Sequence, residues 1–183
     1  MADRERVVVL VRGINVGKAK QVAMSDLVAA LEEVGGTGVR TYLRSGNAVM
    51  DVDPQVAGDL GALAPNAEQA LLEHSRVSAR VLVVPAAHLR AVAAANPFPD
   101  LESSPKQLHV LFCESQPEDV ASRVGLRHGT DELAVGDRVV YLAYRGGRSI
   151  DSPLNAVLPK LGVTTTARNW TTVQALLGLV DAS

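Results

Sequence analysis

The order in which short apolar runs and helical repeats alternate along the chain constrains its fold more than any other feature. Residues 7–12 form a valine-rich run ended by Gly13, which is typical of a strand buried on both faces. Apolar side chains then recur at helical spacing, and residues 45–47 predict a hairpin turn between two strands. The first half therefore predicts strands at 7–12, 39–44, 48–52 and 79–84, and helices at 25–34, 54–73 (broken at Gly58, Gly61 and Pro65) and 85–95.

The second half repeats this order. It predicts strands at 108–112, 133–135, 139–144 and 163–166, and helices at 117–124, 152–161 and 171–180. Gly136 and Asp137 predict a hairpin turn between the second and third of these strands. The order βαββαβ in each half predicts an α+β protein with two ferredoxin-like subdomains related by structural duplication. A cluster of proline and serine residues places a linker at 98–105, between an N-terminal subdomain at 1–97 and a C-terminal subdomain at 106–183 that includes the final helix.

Composition excludes several classes of protein. The 183 residues contain one cysteine, Cys113, which excludes an internal disulfide framework and a four-cysteine zinc site. The four histidines lie in separate elements without ligand spacing, so no metal site is predicted. The apolar run after the polar start is too short for a signal peptide or a membrane span, and we expect a soluble, cytoplasmic protein without a membrane partner.

Charge is unevenly distributed, although the formal net charge is only −2. Residues 1–50 carry seven basic and five acidic side chains, residues 51–137 carry six and thirteen, and residues 138–170 carry five and one. Such asymmetry is typical either of a local anion site or of solvated surfaces.

The strongest candidate for a binding site is the segment at 12–20, which holds two glycines, three cations and no acid directly after a buried strand. Glycine-containing loops at strand ends can direct backbone amides at an anion. The segment is not a nucleotide-triphosphate loop, because the glycine spacing is one residue short and Ala19 lacks the hydroxyl that holds magnesium. A phosphate or carboxylate site therefore competes with a turn that merely needs glycine.

Two further segments could add to this site. At 168–170, a guanidinium beside an amide could bind an oxyanion and the single tryptophan could stack on a flat ligand; alternatively, Asn169 caps the last helix and Trp170 is buried. The hairpin turn at 45–47 is primarily structural, but Arg40 and Arg44 beside it could contribute charge. The residues predicted to bind ligand are Arg12, Gly13, Asn15, Gly17, Lys18, Arg44, Ser45, Asn47, Arg168, Asn169 and Trp170.

Four segments together resemble a bacterial family known as domain of unknown function 1697. They lie at 12–17, at 42–47, at 95–99 and at 166–173. The resemblance spans nearly the whole chain and implies a two-subdomain α/β protein of ferredoxin-like topology, without an established activity. The chain departs from the family pattern at Lys18, Ala19, Ala23 and Arg44, where members usually have glycine, lysine, proline and glutamine.

The sequence thus predicts a small anionic ligand, bearing phosphate or carboxylate, in a cleft between the subdomains, and predicts no cofactor. The alternative is a nucleic-acid or protein interaction module, or a homodimer, that uses an open sheet face. Scarce aromatic residues disfavour a nucleic-acid partner, because base stacking needs them. No motif identifies a catalytic residue, so the sequence leaves open whether the protein is an enzyme.

Overall fold

The structure, a computed structural model, describes residues 4–156 and 158–182. The chain forms two compact units, unit 1 (Met1–Arg90 with Ala175–Ser183) and unit 2 (Ala91–Gln174). The subdomain boundary expected at 98–105, with the final helix in the C-terminal subdomain, stays a prediction. The described residues form a mixed α/β architecture with two antiparallel sheets and six α-helices.

Unit 1 contains a four-stranded sheet in the order β2-β3-β1-β4. Its strands are β1 (Glu5–Val11), β2 (Thr37–Tyr42), β3 (Asn47–Val52) and β4 (Val81–Pro85). Its helices are α1 (Met24–Glu33), α2 (Pro54–Ala57), α3 (Leu60–Ser75) and the first part of α4 (Ala86–Ala94). The central strand β1 pairs with β3 and β4, with Val8 opposite both Val49 and Val84.

The core of unit 1 follows from the alternation of side chains along β1. Val7, Val9 and Val11 pack into one cluster with apolar side chains of α1 and α3, among them Leu31 and Leu71. Val8 and Leu10 on the opposite face are also completely buried, which confirms the strand buried on both faces.

Helix α3 differs from the prediction. The expected break at Gly58 is present, because α2 ends there, but the breaks at Gly61 and Pro65 were wrong: α3 runs through both residues. Asp59 accepts a hydrogen bond from the Ala62 amide at 3.0 Å and thus caps the helix. Burial of one face of α3, including Leu63 and Leu71, outweighs the single backbone hydrogen bond that Pro65 cannot donate.

Unit 2 contains a five-stranded sheet in the order β6-β7-β8-β5-β9. Its strands are β5 (Leu108–Cys113), β6 (Arg127–His128), β7 (Asp131–Gly136), β8 (Val139–Ala143) and β9 (Thr165–Asn169). Its helices are α5 (Val120–Val124) and the first part of α6 (Trp170–Asp181), with 3₁₀ turns at Pro99–Leu101, Ser149–Asp151, Pro153–Ala156 and Leu158–Leu161.

Two local predictions in unit 2 were wrong. The helix expected at 152–161 is replaced by 3₁₀ turns, because Pro159 lacks the amide that would continue an α-helical ladder. The hairpin turn is formed by Asp137 and Arg138 rather than by Gly136 and Asp137, since Gly136 still pairs with Val139. Arg138 adopts the left-handed conformation that this two-residue turn needs, with φ of 48°.

The central strands of both sheets are buried on their two faces. In unit 2, Leu111 and Cys113 of β5 belong to one apolar cluster, whereas Val110 and Phe112 on the other face are buried as well. An open sheet face of stacked aromatics, which the nucleic-acid alternative needs, is therefore not observed at these central strands. No helix in the described ranges has the length and apolar character needed to cross a membrane.

Candidate anion site

The loop at residues 12–20 leaves the end of β1 and is fixed on two sides. The Val11 amide donates to the Gly46 carbonyl at 2.7 Å, and the Arg12 amide donates to the Arg80 carbonyl at 2.8 Å. The loop therefore lies at the same end of the unit 1 sheet as the β2–β3 turn at 43–46 and the residue that precedes β4.

Asn15 holds the loop to its neighbours through its side chain. Its Nδ2 donates to the carbonyls of Val22 at 2.9 Å and Arg44 at 2.7 Å, and its Oδ1 accepts from the Val22 amide at 2.9 Å. Both amide hydrogens of Asn15 are thus bonded within unit 1, and its predicted contact with a ligand stays a prediction. Ile14 and Val22, both buried, anchor the two ends of this hydrogen-bonded segment.

The backbone of the loop alternates in handedness. The angle φ is positive at Gly13 (67°), Asn15 (56°) and Gly17 (62°), but not at Ile14 or Val16 between them. Alternation of this kind turns successive N–H groups toward one concave side, which is how backbone nests bind anions. A Cβ atom at Gly13 or Gly17 would meet no atom within 4 Å, so space beside both residues is open.

Most amides in this loop have no acceptor. Among the described residues, only the Asn15 amide of the segment 13–18 is hydrogen bonded, to the Lys20 carbonyl at 3.0 Å. The unpaired amides belong to Gly13, Ile14, Val16, Gly17 and Lys18. Backbone donors left without a protein partner are open to water or to a ligand.

Three cations around the loop have no acidic partner. Arg12, Lys18 and Arg44 are exposed and form no ion pair within the described part of the chain. Several other arginines do pair with carboxylates, namely Arg6 with Asp51, Arg80 with Glu68, Arg90 with Asp181, and Arg145 with Asp100 and Glu132. Unpaired cations are available to an anion, whereas paired ones are already neutralised.

The β2–β3 turn brings Arg44 to the loop, and its other residues have structural contacts. Asn47 is completely buried and its Nδ2 donates to the Tyr42 carbonyl at 3.0 Å and to Ser45 Oγ at 2.9 Å. A Cβ at Gly46 would lie 2.7 Å from the Val11 Cβ, so only glycine fits beside β1. Ligand contacts by Ser45 and Asn47 stay predictions.

The second predicted segment lies in unit 2, at the end of β9 and the start of α6. Asn169 caps α6, because its Oδ1 accepts from the Thr172 amide at 3.0 Å and from Thr172 Oγ1 at 2.8 Å. Arg168 is only 9% exposed; its Nη1 donates to Thr166 Oγ1 and to the Ala167 carbonyl, each at 2.8 Å. Burial lowers the pKa of Arg168 to about 10.

Trp170, the first residue of α6, is buried, and its Nε1 has no hydrogen-bond partner among the described residues. An unpartnered indole donor is unusual in a protein interior. A joint site formed by Arg168, Asn169 and Trp170 with the loop at 12–18 stays a prediction.

The residues of the segment at 95–99 make structural contacts within unit 2. Asn96 Oδ1 accepts from the Phe98 amide at 3.0 Å, which closes a short turn. The ring of Phe98 is buried, with the guanidinium carbon of Arg145 5.7 Å from its centroid.

Metal-binding and nucleophilic groups are sparse in the described ranges. No three His, Cys, Asp or Glu side chains there lie close enough together to hold a metal ion. Burial raises the pKa of Cys113 to about 12, so its thiol is protonated at neutral pH and is a poor nucleophile.

The sequence pointed to the cations and the backbone amides of this loop, but not to which of those amides lack a protein acceptor in the described part of the chain. A usable pattern was present, because Gly13, Asn15 and Gly17 place the residue types that tolerate positive φ at every second position. The hydrogen-bond state of those amides depends on tertiary contacts, which the pattern does not contain.

The sequence matches the family model described as "Protein of unknown function (DUF1697)" over residues 4–141. The chain belongs to this family. The resemblance noted from its motifs is thereby confirmed. Among solved structures, this DUF1697 chain is similar to the conserved bacterial protein SP0830 from Streptococcus pneumoniae, with a TM-score of 0.73 and 20% identity over 98% of this chain and 100% of that one. At this identity the likeness extends to the fold alone. No curated protein matches the sequence.

Proposed function

We propose that the loop at residues 12–18 of this DUF1697 protein binds a small anion that bears a phosphate or carboxylate group. The observation that carries the proposal is the run of five unpaired backbone amides on alternating φ, at Gly13, Ile14, Val16, Gly17 and Lys18. Fixed amide dipoles stabilise negative charge without having to reorganise when the ligand arrives.

The cations complete the proposed site. Arg12 begins the loop, Lys18 ends the run of amides, and Arg44 is held next to the loop because its carbonyl accepts from Asn15. A guanidinium can donate two parallel hydrogen bonds to a phosphate or carboxylate, whereas an ammonium acts as a point charge. Three unpaired positive charges beside neutral donors favour a ligand with more than one negative charge.

Binding rather than catalysis is what this loop supports. Residues 12–18 contain no serine, threonine, cysteine, histidine, tyrosine or acidic side chain. Apart from Lys18, which is exposed, the loop therefore offers neither a nucleophile nor a general base of the usual kinds.

Ligand-dependent thermal stability tests the proposal. Inorganic phosphate, nucleotides and phosphorylated or carboxylated metabolites are screened at millimolar concentration, and we expect at least one class to raise the Tm. Arg12→Gln removes one charge-assisted contact and is expected to weaken binding of that ligand about tenfold.

The matched control is Arg127→Gln, which removes an exposed arginine of unit 2 and should leave ligand affinity unchanged. The proposal fails if no anion raises the Tm, or if Arg12→Gln binds the stabilising ligand as tightly as the unaltered protein does.

We further propose that the two units are ferredoxin-like repeats. Support comes from strand order: unit 1 has its second, third, first and fourth strands side by side, and unit 2 repeats this order once the two-residue β6 is set aside. Experimental structures of the two units whose βαββαβ cores did not superpose would contradict the proposal.

A further inference from the structure

The end of unit 1 that carries the proposed anion site also exposes two aliphatic side chains. Val16 is 71% exposed on the loop and Leu43 is 60% exposed on the β2–β3 turn. The two segments are in direct contact, because Asn15 Nδ2 donates to the Arg44 carbonyl at 2.7 Å. Within the described part of unit 1, these are the two most exposed large apolar side chains.

Leu43 is unfavourable for the stability of the folded chain in two independent ways. Its φ of 55° lies in the left-handed region, where a leucine is strained and where glycine or asparagine is usual. Its side chain is also exposed to water, so burial within unit 1 does not offset the strain. A residue that costs stability without packing is best explained by an external contact.

The two segments that carry these side chains are basic. Arg12, Lys18, Lys20 and Arg44 lie on the same two segments, and the chain has no acidic residue between Glu5 and Asp26 or between Glu33 and Asp51. Cations around exposed aliphatic tips fit a surface that is anionic outside and apolar just beneath. Neither segment carries an aromatic side chain, so stacking on nucleic-acid bases has no support here.

We propose that the loop at 12–20 and the turn at 43–46 dock on the surface of an anionic phospholipid bilayer, with Leu43 and Val16 entering between headgroups. This inference rests on the proposed function, because the phosphate of a lipid headgroup is then the anion held by the loop amides. No membrane partner is expected from the sequence, because no segment can span a bilayer, but a surface contact needs no span.

Flotation with lipid vesicles tests the inference. We expect the full chain to bind vesicles of 30% phosphatidylglycerol in phosphatidylcholine at low salt and not to bind pure phosphatidylcholine vesicles.

Leu43→Asn should weaken vesicle binding about tenfold because one apolar insertion is lost. The same substitution should raise the Tm by about 2 °C because strain at the turn is relieved. Binding of inorganic phosphate, followed by Tm, should not change.

Ile150→Asn is the matched control, because Ile150 is 70% exposed in unit 2. It should leave vesicle binding unaltered. Equal vesicle binding by Leu43→Asn and the unaltered chain would overturn the inference.

Two other outcomes separate this inference from the proposed function. If phosphate raises the Tm but anionic vesicles do not bind, or if a single-stranded oligonucleotide binds instead, the lipid inference fails and the anion site stands. If neither phosphate and the other anions nor vesicles bind, both proposals fail.

Discussion

His109 lies on β5 with its ring edge-on to Tyr144, at 5.0 Å between ring centroids and 78° between ring planes. Its Nδ1 is buried and has no hydrogen-bond partner among the described residues, and burial lowers the pKa of His109 to about 4. In the unfolded chain the pKa is about 6.5, so the unfolded state binds the extra proton first.

Protonation of His109 is therefore expected to lower the free energy of unfolding by about 3 kcal/mol as the pH falls from about 6.5 to about 4. This stabilisation is fully present above pH 6.5. His109→Phe keeps an edge-on aromatic contact and removes the titrating group. Urea unfolding at pH 7 and pH 4 should show a smaller loss for this variant, and equal losses for both proteins would contradict the account.

At single positions, the sequence identifies residue types but not their hydrogen-bond partners. Arg40 was interpreted as extra charge for the ligand cleft, yet its Nη2 donates to the Leu179 carbonyl at 2.6 Å. Asn15 is predicted to contact a ligand, and the structure shows both its amide hydrogens bonded to backbone carbonyls. The sequence left two roles open for Asn169, a ligand contact or a helix cap. The cap could be predicted from local spacing, because its partner Thr172 is only three residues away.

At the scale of elements, the C-terminal end of α6 is held by arginines from the unit 1 sheet. Arg6 Nη1 donates to the carbonyls of Val180 at 2.9 Å and Ala182 at 2.6 Å, and Arg40 donates to that of Leu179. The last carbonyls of a helix lack intrahelical donors and carry partial negative charge, so cationic donors stabilise them. Arg6 also donates to both carboxylate oxygens of Asp51, and this bond lowers the pKa of Asp51.

Substitution of Arg6 tests this contact. Arg6→Met leaves the helix carbonyls and Asp51 without their donor, and we expect it to lower the free energy of unfolding by about 2 kcal/mol. Arg4→Met is the control, because Arg4 forms a more exposed ion pair with Asp53 and should cost less than about 0.5 kcal/mol. Similar losses in chemical denaturation of the two variants would show that Arg6 does not stabilise the helix end.

Elements were predictable where apolar periodicity was strong and local. The continuous apolar run of β1 and the apolar face of α6 are examples, since each is set by neighbours within a few residues. Helix α3 was split in error because the stabilising burial of Leu63 and Leu71 is a tertiary effect. The hydrogen bond between Arg6 and Val180 joins residues 174 positions apart in the chain, so no local sequence pattern predicts it.

In the whole molecule, the net charge of −2 does not show which charged side chains form ion pairs and which do not. Many cations are neutralised by carboxylates, whereas Arg12, Lys18 and Arg44, which lie around one loop, have no ion-pair partner among the residues the structure describes. Sequence could predict a mixed α/β fold and a basic loop, because both follow from the order of residues. It could not predict that the amides of this loop lack acceptors, because that depends on where every neighbouring carbonyl lies.

Anion binding by the loop amides at residues 13–18 is the property to test most directly. Two-dimensional NMR of the ¹⁵N-labelled protein titrated with inorganic phosphate, or with the anion that raises the Tm most, measures this directly. We expect the amide resonances of Gly13, Ile14, Val16 and Gly17 to shift together and saturably. Those of Gly129 and Gly147, which also have positive φ but lie in unit 2, should stay in place. Saturable shifts elsewhere with an unmoved loop, or no saturable shift at all, would contradict the claim.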